Sequence, residues 1–157
     1  MAQELNQPVA VVCTSGTASL NYGPAIAEAF YQKIPLLVIT ADRPKEVIDQ
    51  GEGQSIRQEF VFKNHTLSSV NLLLDQGLES QERFNQDQIN LALTSLTHDV
   101  DGPVHINIPL EEELYGTVSI PKQFPKVLDS KVKKFTLDKQ QIESIKNILQ
   151  ALSLIHI

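Results

Sequence analysis

Val9-Ala10-Val11-Val12-Cys13-Thr14 runs straight into Ser15-Gly16-Thr17, and the reading of this stretch decides the fold. A short, unbroken apolar run rich in β-branched residues predicts a strand buried on both faces, as in a parallel sheet. Ser15 or Thr17 is placed to cap a following helix, for which Ala18, Leu20, Ala25, Ile26, Ala29 and Phe30 supply an apolar surface. Gly23-Pro24 should interrupt that helix. Pro35 then introduces a second buried run, Leu36 to Thr40. Strand, helix and strand with short connections make a βαβ unit, whose crossover is expected to be right-handed.

Downstream, residues 41 to 64 hold Pro44, Gly51 and Gly53 among many charges with little periodicity, which predicts a long connection with at most a short helix. Long ordered loops in compact domains are usually functional. Thr66 to Leu74 is a further strand candidate. Ile89, Ala92, Leu93 and Leu96 follow helical spacing and predict an amphipathic helix over Arg83 to Thr97. Val104, Ile106 and Ile108 alternate with His105 and Asn107 in a last strand that Pro109 stops. The fold class is therefore α/β, an open parallel sheet with helices on both faces. After Gly116, prolines and lysines predict a linker over residues 119–135. Asp138 and Gln141 then form a capping box with a Leu137/Ile142 staple, and Ile142, Ile145, Leu149 and Leu152 extend the stripe of a helix within 136–157.

A chain of 157 residues with 41% hydrophobic content matches one domain with a real core. No window approaches the ~18 apolar residues a membrane span needs. Cys13 is the single cysteine, which excludes a disulfide framework, and Met1 is followed by polar residues rather than a signal sequence, so a reducing cytoplasm is the expected location. The net charge of -6 divides into -10 over residues 1–120 and +4 over 121–157. That balance argues against nucleic acid as partner, because the lysine-rich tail is short and lacks interleaved aromatics. Arg43 and Arg57, two of the three arginines, share one acidic segment.

Thr14-Ser15-Gly16-Thr17 lies where a strand turns into a helix, and open parallel sheets bind ligands beyond the carboxyl ends of their strands. A plain helix cap beside a glycine turn explains the same residues equally well. The lysine and glycine spacing of a phosphate loop are absent, as is the dinucleotide fingerprint. Arg43 follows the second strand directly, on the edge where Ser15 sits, and its planar fork suits an anionic substrate; a local pair with Asp42 or Glu46 is the alternative. Gln54, Arg57 and Gln58, each taken alone, read as solvated loop residues. His65, His98, His105 and His156 have no metal-pair spacing, so no metal site is expected. Glu111-Glu112-Glu113 reads as an acidic turn and Cys13 as a small buried hydrophobe.

Taken in order, Gln7 to Val12, Thr14-Ser15-Gly16-Thr17-Ala18, Thr40-Ala41-Asp42-Arg43-Pro44, Asp49-Gln50-Gly51-Glu52-Gly53-Gln54-Ser55-Ile56-Arg57-Gln58 and Gly102 to Asn107 resemble the 2-succinyl-5-enolpyruvyl-6-hydroxy-3-cyclohexene-1-carboxylate synthase family of menaquinone biosynthesis. The resemblance covers roughly residues 5–116 and falls in that family's N-terminal, pyrimidine-binding domain. The Thr-Ser-Gly turn is shared by thiamine-diphosphate enzymes at large. The Ala-Asp-Arg-Pro and Gly-x-Gly-Gln-x-Ile-Arg-Gln segments are far more specific.

The resemblance implies a transferase that decarboxylates 2-oxoglutarate with thiamine diphosphate and adds the succinyl unit to isochorismate. It places Arg43 and Gln54 in the isochorismate pocket and Thr14, Ser15, Gly16 and Thr17 beside the cofactor's aminopyrimidine. It assigns the diphosphate and its Mg2+ (Mn2+ in some settings) to a C-terminal domain of the partner subunit in a homodimer or homotetramer. The family's catalytic glutamate and an early Ser-Arg pair have no counterpart here, and neither Glu4 nor Glu28 takes that role. Residues 3–6 are similar to the end of the helix before the first strand, so the chain is expected to hold a partial pyrimidine-binding domain over 1–118, the linker, and the first helix of a truncated middle domain. Alone it should be inactive. The runners-up are another thiamine-diphosphate decarboxylase or acetohydroxyacid synthase, in which a proline would stand where Thr17 does, and a non-catalytic α/β anion-binding domain.

Overall fold

The structure, a computed structural model, describes residues 1–5, 7–97, 101–111 and 137–151. The predicted linker at 119–135, His98, Glu112, Glu113 and the terminal residues 152–157, Leu152 of the predicted stripe among them, lie outside the described residues. Helix α1 (Ala2–Leu5) precedes strand β1 (Val9–Cys13), then come α2 (Thr17–Leu20), α3 (Gly23–Tyr31), β2 (Leu36–Asp42), β3 (Ser68–Asn71), α4 (Glu79–Thr97), β4 (Val104–Pro109) and α5 (Lys139–Ala151). The four strands of the described residues are parallel, in the order β1-β2-β4-β3. The last strand in sequence therefore enters the sheet between two earlier ones.

The α/β class follows from how each strand's two faces are used. On one face Val38 packs with Ile26 of α3 and with Phe62, joined by Val11 and Leu36. On the other, Val70, Leu72 and Ile106 pack with Ala92 of α4, joined by Leu37, Ile89 and Ile108. Neighbouring residues of β2, Leu37 and Val38, thus serve opposite clusters, as the two-residue repeat of a strand requires. Full burial of side chains such as Ile26 and Val38 stabilises by roughly 1.5–3 kcal/mol each.

Several local expectations change. The residue at the helix start is Gly16, with no side-chain cap: Ser19 Oγ instead donates to the Gly16 carbonyl at 2.8 Å. The helix breaks at Asn21-Tyr22, just before Gly23-Pro24, and Pro24 sits in the first turn of α3, where its missing N–H is harmless. Leu20 is 45% exposed and Ala25 is also exposed, so Ile26 and Ala29 carry the packing. Strand β1 alternates between half-buried and exposed residues, because no element among the described residues covers the face that carries Val12, which is 65% exposed. Helix α4 begins earlier than its apolar spacing predicts, with Glu79 and Glu82 favouring the helix N-terminus electrostatically, and Leu93 lies outward. In α5 the capping box forms as predicted: Gln141 N donates to Asp138 Oδ1 at 2.8 Å and Asp138 N to Gln141 Oε1 at 3.0 Å.

Candidate functional site

Strands β1 and β2 pair in register with Cys13 beside Thr40, so the Thr14–Thr17 turn and the Asp42-Arg43-Pro44 corner leave the same edge of the sheet. Ser15 and Gly16 are buried in the turn, whereas Thr14 and Thr17 stand exposed on either side. Gly16 has φ +78, and a Cβ there would lie 2.8 Å from the backbone of Gln54. Only glycine lets the long loop close on this turn. Gln54 itself is left-handed at φ 53, as are Asp49 and Phe60 in the same loop. Three non-glycine residues in that region, each costing on the order of 1 kcal/mol or more, mark a loop held in shape by its surroundings.

What holds it is a buried polar network. Gln58 is fully buried, not solvated, because the loop folds it under the turn. Its Oε1 accepts the Gly16 N–H at 3.0 Å, and its Nε2 donates to the Ala41 carbonyl at 2.6 Å and to Asn107 Oδ1 at 2.8 Å. Asn107 Nδ2 donates to Asp42 Oδ2 at 2.7 Å and to Asn71 Oδ1 at 2.6 Å. The Arg43 N–H donates to Asp42 Oδ1 at 2.8 Å. A continuous path of hydrogen bonds thereby joins the turn to the arginine corner. The alternation in β4 marked His105 and Asn107 as the polar face, yet they are 0% and 1% exposed.

Thr40 Oγ1 donates to Asn107 Oδ1 at 2.7 Å, so its single proton is committed and it accepts from His105 Nε2, 2.8 Å away. His105 Nδ1 then accepts from Ser69 Oγ at 3.1 Å. Phe62 packs edge-on against the ring, with centroids 5.1 Å apart. Burial lowers the His105 pKa from 6.5 to about 4, consistent with a neutral ring. The Asp42 carboxyl is pushed up by burial, partly offset by its hydrogen bonds from Asn107 and the Arg43 N–H.

Beyond the carboxyl ends of β2, β3 and β4 opens a cleft of about 440 Å³, lined in part by Asp42, Arg43, Glu59, Asn71, Phe84 and Pro109. The Asn85 side chain fixes its rim by accepting from Leu73 N and donating to Leu73 O, at 2.8 and 2.9 Å. Of the predicted residues, the turn and Gln54 come together directly, and Arg43 joins them through Gln58 and Asn107. Gln54 is not part of the cleft lining. Arg57 is turned to an exposed pair with Asp49 at 2.9 Å. Among the described residues no three His, Cys, Asp or Glu side chains gather as a metal site. Burial raises the Cys13 thiol pKa, and the Tyr22 hydrogen bond partly opposes it.

This geometry, a glycine turn and a polar corner side by side at the carboxyl edge of a parallel sheet, agrees with the family model that residues 1–62 match: thiamine pyrophosphate enzyme, N-terminal TPP binding domain. More specific relatives bear the name 2-succinyl-5-enolpyruvyl-6-hydroxy-3-cyclohexene-1-carboxylate synthase. The protein of Christiangramia forsetii is 45% identical over 94% of this chain and 28% of its own length. That of Flavobacterium psychrophilum is 53% identical over 82% of this chain and 22% of its own, and that of Flavobacterium johnsoniae 52% over 81% and 22%. The chain belongs to this synthase family of thiamine-dependent enzymes, and it spans about a quarter of the length of the relatives it matches.

Proposed function

We propose that the chain forms the pyrimidine-side part of a synthase that decarboxylates 2-oxoglutarate and joins the succinyl unit to isochorismate in menaquinone biosynthesis. The observation that carries this reading is the hydrogen-bonded path from the Gly16 turn to the Asp42-Arg43 corner, built from the segments that carry the sequence resemblance. Residues 1–118 would belong to the pyrimidine-binding domain, 119–135 to a linker, and 136–157 to the first helix of a middle domain. A cytoplasmic location and a homodimeric or homotetrameric assembly complete the proposal.

The residues present fit the aminopyrimidine end of thiamine diphosphate. The Gly16 turn is closed by the Gln54 backbone, and Thr14 and Thr17, exposed on either side of it, offer hydroxyls to the polar edge of the ring. When bound, the cofactor supplies the electron sink for decarboxylation. Thr14, Ser15, Gly16 and Thr17 would orient that ring, and Arg43 and Gln54 would bind the carboxylates of isochorismate. In this proposal the metal and the diphosphate are held, as the resemblance implies, by a C-terminal domain of the partner subunit. In a protein of the relatives' length, Arg43→Ala should raise the KM for isochorismate more than that for 2-oxoglutarate, the lost charged hydrogen bond being worth about 1.5–3 kcal/mol. Equal effects on both substrates would remove Arg43 from the pocket. The 157-residue chain alone should show no thiamine-dependent decarboxylation.

A further inference from the structure

We propose that Gln58 is a positioning residue which sets the distance between the cofactor turn and the substrate arginine. The inference rests on the thiamine reading above. Its three partners come from three separate segments: Gly16 after β1, Ala41 near the end of β2, and Asn107 in β4. Each polar atom of the amide is used, the oxygen as acceptor and both N–H groups as donors. Asn107 passes the constraint on to Asp42, whose other oxygen holds the Arg43 N–H.

A residue that merely filled space here would be apolar, since a buried amide is tolerated only when every partner is in place. Methionine has nearly the volume of glutamine and would satisfy the packing, but it would leave the Gly16 N–H and the Asn107 and Ala41 oxygens without this partner. Glutamate keeps the acceptor toward Gly16 and, when ionised, presents a second acceptor to two oxygens. The turn and the corner would then be free to shift relative to each other, although neither the cofactor nor the substrate touches position 58.

The test uses the full-length protein, with Gln58→Met and Gln58→Glu compared with wild type. Thiamine diphosphate Kd is read by fluorescence titration, KM for each substrate is measured at saturating cofactor, and Tm is recorded alongside. Both variants should bind thiamine diphosphate roughly tenfold more weakly and raise the isochorismate KM by a similar factor, a loss of about 1.4 kcal/mol for each. The KM for 2-oxoglutarate should stay within about twofold. In Gln58→Glu the loss relative to wild type at the same pH should grow with rising pH as the introduced carboxyl ionises, over and above the dependence that Asp42 and His105 give both proteins. If Gln58→Met does not fold, Gln58→Glu carries the same test through its pH profile. A lowered Tm with cofactor Kd and isochorismate KM unchanged would overturn the proposal and leave Gln58 a packing residue. Failure of wild type to bind thiamine diphosphate would overturn the functional reading itself.

Discussion

At Gly16 the backbone sits at φ 78 and ψ -148, a region that is essentially closed to residues with a Cβ, and the Gln54 backbone occupies the space a side chain would need. Gly16→Ala should therefore displace the loop as well as strain the turn. We expect a loss on the order of 1–3 kcal/mol in stability, seen as a lower Tm, together with weakened thiamine diphosphate binding. Unchanged cofactor titration would show that the turn does not face the ring. His105 gives a prediction in pH. Its folded pKa of about 4 lies below the ordinary 6.5, so the unfolded chain binds the proton more readily. The stability due to the neutral ring is complete above pH 6.5 and is lost as pH falls toward 4, by up to about 3 kcal/mol. His105→Gln should lower Tm at pH 7 and flatten its decline between pH 6.5 and 4; an equally steep decline would assign the acid sensitivity to other groups.

Among the elements, the strands were legible because unbroken β-branched runs leave few other options, and the βαβ unit followed from their spacing. Their neighbours were not. Inserting β4 between β2 and β3 depends on which apolar faces meet α3 and α4, a matter of tertiary packing that no local pattern encodes. The same limit explains the site. Motif order singles out Thr14 to Thr17, Arg43 and Gln54, whereas Gln58 reads as a solvated loop residue and His105 and Asn107 as the polar side of a strand, since a residue's burial is decided by what folds over it. Asn107 is the central member, with four side-chain partners in Thr40, Gln58, Asp42 and Asn71. Asn107→Ala would orphan several buried groups at about 1–3 kcal/mol each. In the full-length protein the variant should be markedly less thermostable than Arg57→Ala, which removes only an exposed ion pair worth ~0.2–1 kcal/mol. Comparable Tm values for the two would mean the network contributes little.

Over the whole molecule, the face of β1 that carries Val12 has no covering element among the described residues, and its outer edge has no strand partner. Exposed edge strands with apolar side chains template association. The 157-residue chain should consequently aggregate on concentration, and Val12→Lys should shift it toward monomer in size-exclusion chromatography; identical elution of the two would locate the sticky surface elsewhere.

The order of strands also has a kinetic meaning. Thr40 and His105 meet across 65 residues of chain, and Gly16 and Gln58 across 42. Contacts between such distant segments form late, after the entropy of closing long loops has been met. The hydrogen bonds that join the turn to the arginine corner therefore cannot form within any single helix or turn. Affinity for the cofactor ring should then emerge in one step with completion of the sheet, which makes ligand capture a sensitive clock for the last event of folding.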